Sequence, residues 1–391
     1  MNDSTENALL FPNRAWGHFA ARWEASLGNP DVLRGMKACG INLAGLVLPE
    51  HLDAVHAAGL KAIVFDPRSY AYEFRSVSEA EARPRLESLV KDVGQHPALA
   101  GYYVKDEPHV SEFAGLALVG RLLREIDPKH WAYFNLFPDY ASQEQLGVET
   151  YEEYVESYLQ IVRPPFLSYD HYALFENAPL RKSYFANLEI IRAASLRHNL
   201  PFWNIVLANA HFTYAEPTSA SIRFQAFTTL AYGGKGISWF TYIAPEVGNY
   251  RAAALDQFGN YTATWSYLEH VNLQIAQLAP VLVRLQSRRV YHFGEVPEKG
   301  RPAPASALVR SIRALHQQFL VGELQHLDDG SDYLIVVNKD LTHSTNYALE
   351  LSEPGIKIER VSPFQGTLQP LGGEDDWLAS GQGALLRLAR A

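Results

Sequence analysis

Short apolar runs recur along the 391-residue chain. Each is followed by polar or turn residues, and then by a segment whose apolar positions fall three and four apart. The runs predict strands at about 16–23 (WGHFAARW), 41–48 (INLAGLVL), 61–66 (KAIVFD) and 99–104 (LAGYYV). Four more are predicted at 131–137 (WAYFNLF), 166–172 (FLSYDHY), 202–208 (FWNIVLA) and 236–242 (GISWFTY). Between them, DVLRGMKACG closes on a C-cap glycine, and YEEYVESYLQIV and YFANLEIIRAASLRHN carry helical spacing. Eight strands alternating with helices over roughly 270 residues predict an α/β fold of the (β/α)8 TIM-barrel type. A doubly wound open sheet would carry a glycine fingerprint after its first strand, and none is present.

A long helix is expected at 262–288, closing the barrel. Beyond it the period changes from helical to alternating, with more Gly and Pro: QFLVGELQHL, SDYLIVVNKD, TNYALELS, KIERVSP and GALLRLARA. This texture predicts a small C-terminal antiparallel β-sandwich. The expected division is a catalytic barrel over 1–290 and a β-sandwich over 291–391, with a linker near 289–305, where EVPEKGRPAPAS gathers turn residues.

Composition narrows the partners. Hydrophobic residues make up 47% and charged residues 20%, as in ordinary globular proteins, and the net charge of −9 argues against nucleic acid or an anionic membrane. The single cysteine, Cys39, has no partner for an intramolecular disulfide and reads as a core residue in MKACGINLAG. The N-terminus lacks a basic region followed by an apolar stretch, and no uncharged apolar run approaches the ~18 residues that span a bilayer. A soluble cytoplasmic protein is expected; a leader removed beforehand would leave the same sequence. Aromatic residues reach 12%, with 7 Trp and 21 Tyr. Placed at strand ends, they suit a ligand with flat apolar faces and hydroxylated edges, such as a sugar.

In a (β/α)8 barrel the chemistry gathers at the C-terminal strand ends. The fourth predicted strand ends there in two adjacent carboxylates, within GYYVKDEPHV (101–110). Alternation puts Tyr102, Val104 and Asp106 on one face, toward the helices, and Lys105 and Glu107 on the other, toward the barrel mouth. Pro108 is expected to hold Glu107 extended. Burial near aromatic rings would raise the Glu107 pKa toward that of a general acid. In the competing arrangement Lys105 pairs with a neighbour and Glu107 merely caps the next helix. In FLSYDHY, Ser168 and Asp170 share a face, so Asp170 points inward, with His171 and Tyr172 at the rim; Asp170 acts either in catalysis or only by orienting a neighbouring Tyr or Arg or gripping a sugar hydroxyl.

Asp66, Asp106, Asn135 and His211 add hydrogen-bonding groups at other strand ends, and Glu216 lies in the loop after the seventh strand. Trp16 and Tyr242 lie near a rim, where either could stack on a ligand. Trp203 is a further candidate contact, although a strand tryptophan is more often core. The chain has no HExxH, no Cys/His cluster, no GxSxG and no Walker loop, so no metal and no cofactor is expected. Two carboxylates without a nucleophilic serine point to acid–base chemistry, with glycoside hydrolysis foremost.

HPALAGYYVKDEP, AYFNLFP, FLSYDHY and RFQAFTTLAYGGKGISWFTYIAP together resemble a group of bacterial glycoside hydrolases loosely related to the clan A enzymes that include β-galactosidases. The resemblance spans most of residues 10–290. It implies a (β/α)8 barrel, often with a C-terminal β-sandwich, and an acid/base Glu in an N-E-P-type triplet ending the fourth strand, which matches Glu107 in DEP. It also implies a nucleophilic Glu ending the seventh strand, where this chain has IVLANAH and the nearest carboxylate is Glu216. The second catalytic group is therefore Asp170 or Glu216, and retention or inversion stays open. The expected substrate is an oligosaccharide or glycoside. Two alternatives remain: a carbohydrate-binding protein without turnover, and a metal-assisted sugar isomerase or lyase using Asp170, His171 and His211.

Overall fold

A computed structural model describes residues 11–16, 26–371 and 376–390, with Trp16 described by its backbone alone. The chain runs β1 (Asn13–Trp16), α1 (Pro30–Ala38), β2 (Leu43–Val47), α2 (Leu52–Ala57), β3 (Lys61–Val64), α3 (Pro67–Tyr70), α4 (Glu79–Val93) and β4 (Leu99–Asp106). It continues with α5 (Phe113–Ile126), β5 (Trp131–Asn135), α6 (Gln143–Leu146), α7 (Tyr151–Val162), β6 (Leu167–Asp170) and α8 (Tyr184–His198). Then come β7 (Phe202–Leu207), α9 (Ser219–Ala231), β8 (Gly236–Phe240) and α10 (Ala263–Leu282).

The eight strands pair in the order β5-β4-β3-β2-β1-β8-β7-β6, with parallel ladders. The remaining seam, between β5 and β6, is crossed by the bridge Leu136↔Tyr169 and the hydrogen bond from Leu136 N–H to Ser168 O at 2.9 Å. The fold is therefore the expected (β/α)8 barrel. Its first strand begins earlier than the hydrophobic run implied: β1 overlaps the predicted 16–23 only at Trp16, and 17–23 lie outside the described residues.

Two apolar layers hold the barrel. Inside it, Leu43, Ile63, Tyr133, Phe166, Trp203 and Ile205 pack together, and the Trp203 indole stacks on Phe166 at 3.9 Å between centroids. Outside the strands, each helix contributes one stripe. In α5 the buried positions Phe113, Leu116, Val119 and Leu123 recur at helical spacing, while Arg121 and Glu125 face solvent and pair. Each such side chain contributes about 1.5–3 kcal/mol on burial, which lets the strand ends be used for polar groups.

The C-terminal strands are β9 (Leu285–Phe293), β10 (Val309–Arg313), β11 (Phe319–His326), β12 (Asp332–Asn338), β13 (Thr345–Asn346) and β14 (Ala348–Leu351). They are followed by β15 (Lys357–Val361), β16 (Leu368–Pro370), β17 (Trp377–Leu378) and β18 (Gly383–Ala389). A six-stranded antiparallel sheet, β16-β15-β18-β12-β11-β9, has the pair β10-β14 over one face, around Tyr291, Val309, Ile312, Phe319, Leu334 and Leu386. Its other face, with Leu320, Ile335 and Leu385, joins the apolar core of the barrel helices. The approach is close: a Cβ at Gly322 would stand 2.1 Å from the carbonyl oxygen of Ala231 at the end of α9. β9 straddles residues 290 and 291 and belongs wholly to this sheet, so the architecture changes just after α10.

Candidate active site

β4 carries a register shift. Tyr103 pairs with Tyr133, but Lys105 pairs with Phe134 and Asp106 with Asn135, so Val104 is an extra residue. Up to that point the alternation is as expected: Tyr102 faces the helices, its hydroxyl donating to Asp127 at 2.6 Å, and Tyr103 faces inward. Past Val104 it inverts. Lys105 turns out to an ion pair with Glu112 at 2.9 Å, and Asp106 turns in to accept from Asn135 at 3.0 Å. The expectation that Lys105 faces the mouth and Asp106 the helices fails because a bulge breaks the period of two.

Glu107 is not extended. Its φ is +46°, in the left-handed region, and its N–H donates to Asn135 O at 2.9 Å. Such a backbone costs on the order of 1–3 kcal/mol and persists only where the surroundings enforce it. Here the following loop is tied on both sides: Tyr154 donates to Pro108 O at 2.6 Å, and Glu112 joins Lys105 to the His109 N–H.

Asn135, at the end of β5, donates through Nδ2 to Asp106 Oδ1 at 3.0 Å and to Asp170 Oδ1 at 2.9 Å. Both oxygens lie beside one nitrogen, so they are within about 6 Å of each other. Two carboxylate oxygens need a donor, which orients the amide with its nitrogen toward them, while Ser168 Oγ donates to Asn135 Oδ1 at 2.9 Å and Tyr133 OH lies 2.9 Å from the same Ser168 hydroxyl. Beneath this chain Arg14, fully buried on β1, lies 4.2 Å over the Tyr133 ring. Its space comes from Gly45, where a Cβ would meet Arg14 Nε at 2.4 Å.

Burial dominates the electrostatics. Glu107 is pushed up to about 7, by burial first and then by the charge of Asp106. Asp170 is raised well above the usual carboxylate range by burial and then by Glu107 and Asp106. Burial raises Asp106 as well, but the Asn135 hydrogen bond and the charges of Arg14 and Lys105 oppose it. Asp106 is thus the carboxylate best provided with counter-charge, and Glu107 holds a proton near neutral pH.

Aromatic groups surround the carboxylates. Tyr172 follows Asp170, has its hydroxyl pKa raised by burial and then by Asp170, and stacks on Phe240 at 5.3 Å. His211 packs edge-on to Tyr172, stacks on Tyr250 at 4.7 Å, and shares a 2.9 Å hydrogen bond with Asn209. On the β3–β4 side Phe65, Tyr70 and Tyr103 pack on one another. Tyr140, between β5 and α6, lies near enough to Asp170 to be shifted by its charge and carries Arg181 3.8 Å above its ring.

Of the residues singled out by sequence, Glu107, Asp106, Asn135, Asp170 and Tyr172 come together, with His211 in the adjoining aromatic wall. The others lie apart. Asp66 caps α3, and Arg68 engages both its carboxylate oxygens. Glu216 is exposed and pairs with Arg251, which also binds Glu176, so it does not fold back onto the cluster. His171 turns away from Asp170 and puts Nε2 3.3 Å from Asp139, and burial lowers its pKa. Trp203 is interior packing, and Tyr242 faces α10, where Trp265 Nε1 donates to its hydroxyl at 3.1 Å. The Trp16 side chain lies outside the described residues. Arg14, Tyr103, Tyr140, Phe240 and Tyr250 were not anticipated. An arginine within the apolar FPNRAW was the available signal for the first.

No known family profile matches the sequence, and no curated protein matches it. Solved structures do resemble the fold. A glycoside hydrolase family 5 protein from Bacteroides vulgatus ATCC 8482 superposes with a TM-score of 0.61 at 12% identity, over 97% of this chain and 89% of that one. A protein described as a glycoside hydrolase gives 0.60 at 10% identity, over 97% and 93%. The β-galactosidase of the psychrophilic Marinomonas ef1 gives 0.53 at 13% identity; the match covers 70% of this chain and spans 62% of that enzyme's length. At these identities the likeness is one of fold.

Proposed function

We propose that the chain is a glycoside hydrolase in which Glu107 is the general acid and Asp170 the second catalytic carboxylate. The observation that carries the reading is the convergence of Asp106, Glu107 and Asp170 at adjoining strand ends, with Asn135 donating to two of them. Glu107, pushed up to about 7, holds a proton that it can give to a leaving oxygen. As that carboxyl passes its proton on, the glycosidic C–O bond breaks and positive charge develops on the ring. Burial and mutual repulsion raise both carboxyls, so the pair holds one proton and acts in the form with Glu107 protonated and Asp170 ionised. In the inverting variant a water then adds to the anomeric carbon and gives its proton to Asp170; in the retaining variant Asp170 itself bonds that carbon and water later releases it. A carboxyl separation of about 5–5.5 Å goes with retention and about 6.5–9.5 Å with inversion. Tyr172, Phe240 and Tyr70 supply flat faces for a sugar ring, and Asp106 a hydroxyl acceptor.

One observation favours a second reading, sugar binding without turnover: β7 leads into Ala208 and Asn209, neither a carboxylate, and Glu216 is held by Arg251. The test is sugar release from a panel of aryl glycosides and oligosaccharides by the wild type and by Glu107→Gln. Release by the wild type alone supports the hydrolase; equal release by both from oligosaccharides, whose leaving groups need protonation, refutes the role of Glu107. No release, with calorimetric binding of a sugar, supports the second reading.

A further inference from the structure

We propose that His316, Asp340 and His343, in the C-terminal domain, form a binding site for one Zn2+ ion, independently of the barrel-mouth reading. One donor atom from each lies within 4.8 Å of the other two, and among the described residues theirs is the sole group of three or more His, Cys, Asp or Glu side chains so placed. Two imidazoles and a carboxylate suit zinc and its transition-metal neighbours, whereas Ca2+ and Mg2+ take all-oxygen sets.

The residues come from two loops, one between β10 and β11 and one after β12, and hydrogen bonds already hold those loops together. His316 N–H donates to Thr345 Oγ1 at 3.0 Å, and the Thr345 hydroxyl donates back to His316 O at 3.3 Å. Asp340 is fixed by its own turn: its Oδ1 accepts from the Thr342 and His343 N–H groups at 2.7 and 2.9 Å. Its Oδ2 points to His343 Nδ1 at 2.9 Å, and the His343 ring lies against that of His316 at 4.7 Å. Partial burial works against the Asp340 charge, but the two N–H donors and His343 outweigh it and keep its pKa below the usual carboxylate value. An anionic oxygen and two imidazoles thus converge on two loops that are already tied to each other. Binding would link the two loops, and through the Gly381 N–H that donates to Asp340 O it would brace the segment carrying Ser380, which Arg223 of α9 grips.

The experiment is calorimetric titration of the full chain with ZnCl2 at pH 7.5, alongside His316→Gln and His343→Gln. His343 is 57% exposed, so its replacement removes a ligand without emptying a core. The expected result is one ion per chain for the wild type. Each variant should bind roughly tenfold or more weakly, and the zinc-dependent rise in Tm should be smaller in both at the same zinc concentration. Wild-type affinity in either variant, or no stoichiometric binding by the wild type, overturns the proposal.

Discussion

Asn135 donates to Asp170 at 2.9 Å across the seam where β5 and β6 are joined by a single bridge. The same nitrogen donates to Asp106 on β4, so one amide serves both carboxylates. Hydrogen bonds to charged groups contribute about 1.5–3 kcal/mol each. Asn135→Leu should therefore lower stability by about 3–6 kcal/mol at pH 7 and reduce activity at least tenfold. Asn135→Asp adds a carboxylate where charges already repel, so its deficit should be larger at pH 7 than at pH 5. Urea unfolding at the two pH values measures both; equal deficits would refute the role given to the amide.

Glu107 sets a pH limit. Its pKa rises from 4.5 to about 7 in the folded protein. Folding thus favours its protonated form, and this contribution to stability is full below pH 4.5 and lost as pH rises through about 7. Catalysis by the protonated acid should fall over the same range, giving kcat/KM an alkaline limb near pH 7. In Glu107→Gln that limb should vanish and the remaining rate should drop by roughly 10²–10⁴. Nitrophenyl glycosides, whose leaving groups need little protonation, should be the least affected.

The identity of the second carboxylate rests on Asp170 against Glu216. Asp170→Asn should reduce kcat by roughly 10²–10⁴. The same change should raise Tm at neutral pH, because it removes a carboxyl whose ionised form burial and the charges of Glu107 and Asp106 disfavour in the folded protein. Glu216→Gln should leave kcat within about twofold and stability within about 1 kcal/mol, the worth of an exposed ion pair. The reverse pattern in side-by-side kinetics would transfer the role to Glu216.

Two aromatic residues separate binding from packing. Trp203→Ala empties space beside Phe166 and should cost about 3–5 kcal/mol, with KM near the wild-type value in whatever remains folded. Tyr172→Ala removes a face beside Phe240 at the mouth and should raise KM for every substrate that is turned over, while Tyr172→Phe should retain most of the binding. Denaturation curves and Michaelis plots for the three variants test this division.

The eight-strand plan was legible because apolar runs and helical spacing persist through the sequence, and strand ends nominated Glu107, Asp170, Asn135 and Tyr172. Period alone misled at β4. No residue type announces the bulge at Val104, since a register shift depends on the neighbouring strand. Arg14 escaped because β1 lies ahead of the apolar run taken for it. Asp66, Glu216 and His171 stand at the expected strand ends or loops, but their partners Arg68, Arg251 and Asp139 come from contacts that sequence spacing does not encode. Trp203 was ambiguous because position along its strand, not residue type, separates floor from mouth.

The bulge at Val104 makes the sign of charge at the barrel mouth a property of strand register. Paired with β5 without that bulge, the same residues would exchange faces, turning an ammonium inward and sending a carboxylate toward the helices. A slip of one position there would rewrite the site's charge without changing a single residue of the sequence. Tyr133 and Phe134, the β5 residues that pair on either side of the bulge, therefore bear on the site's charge as directly as Asp106 and Glu107 do.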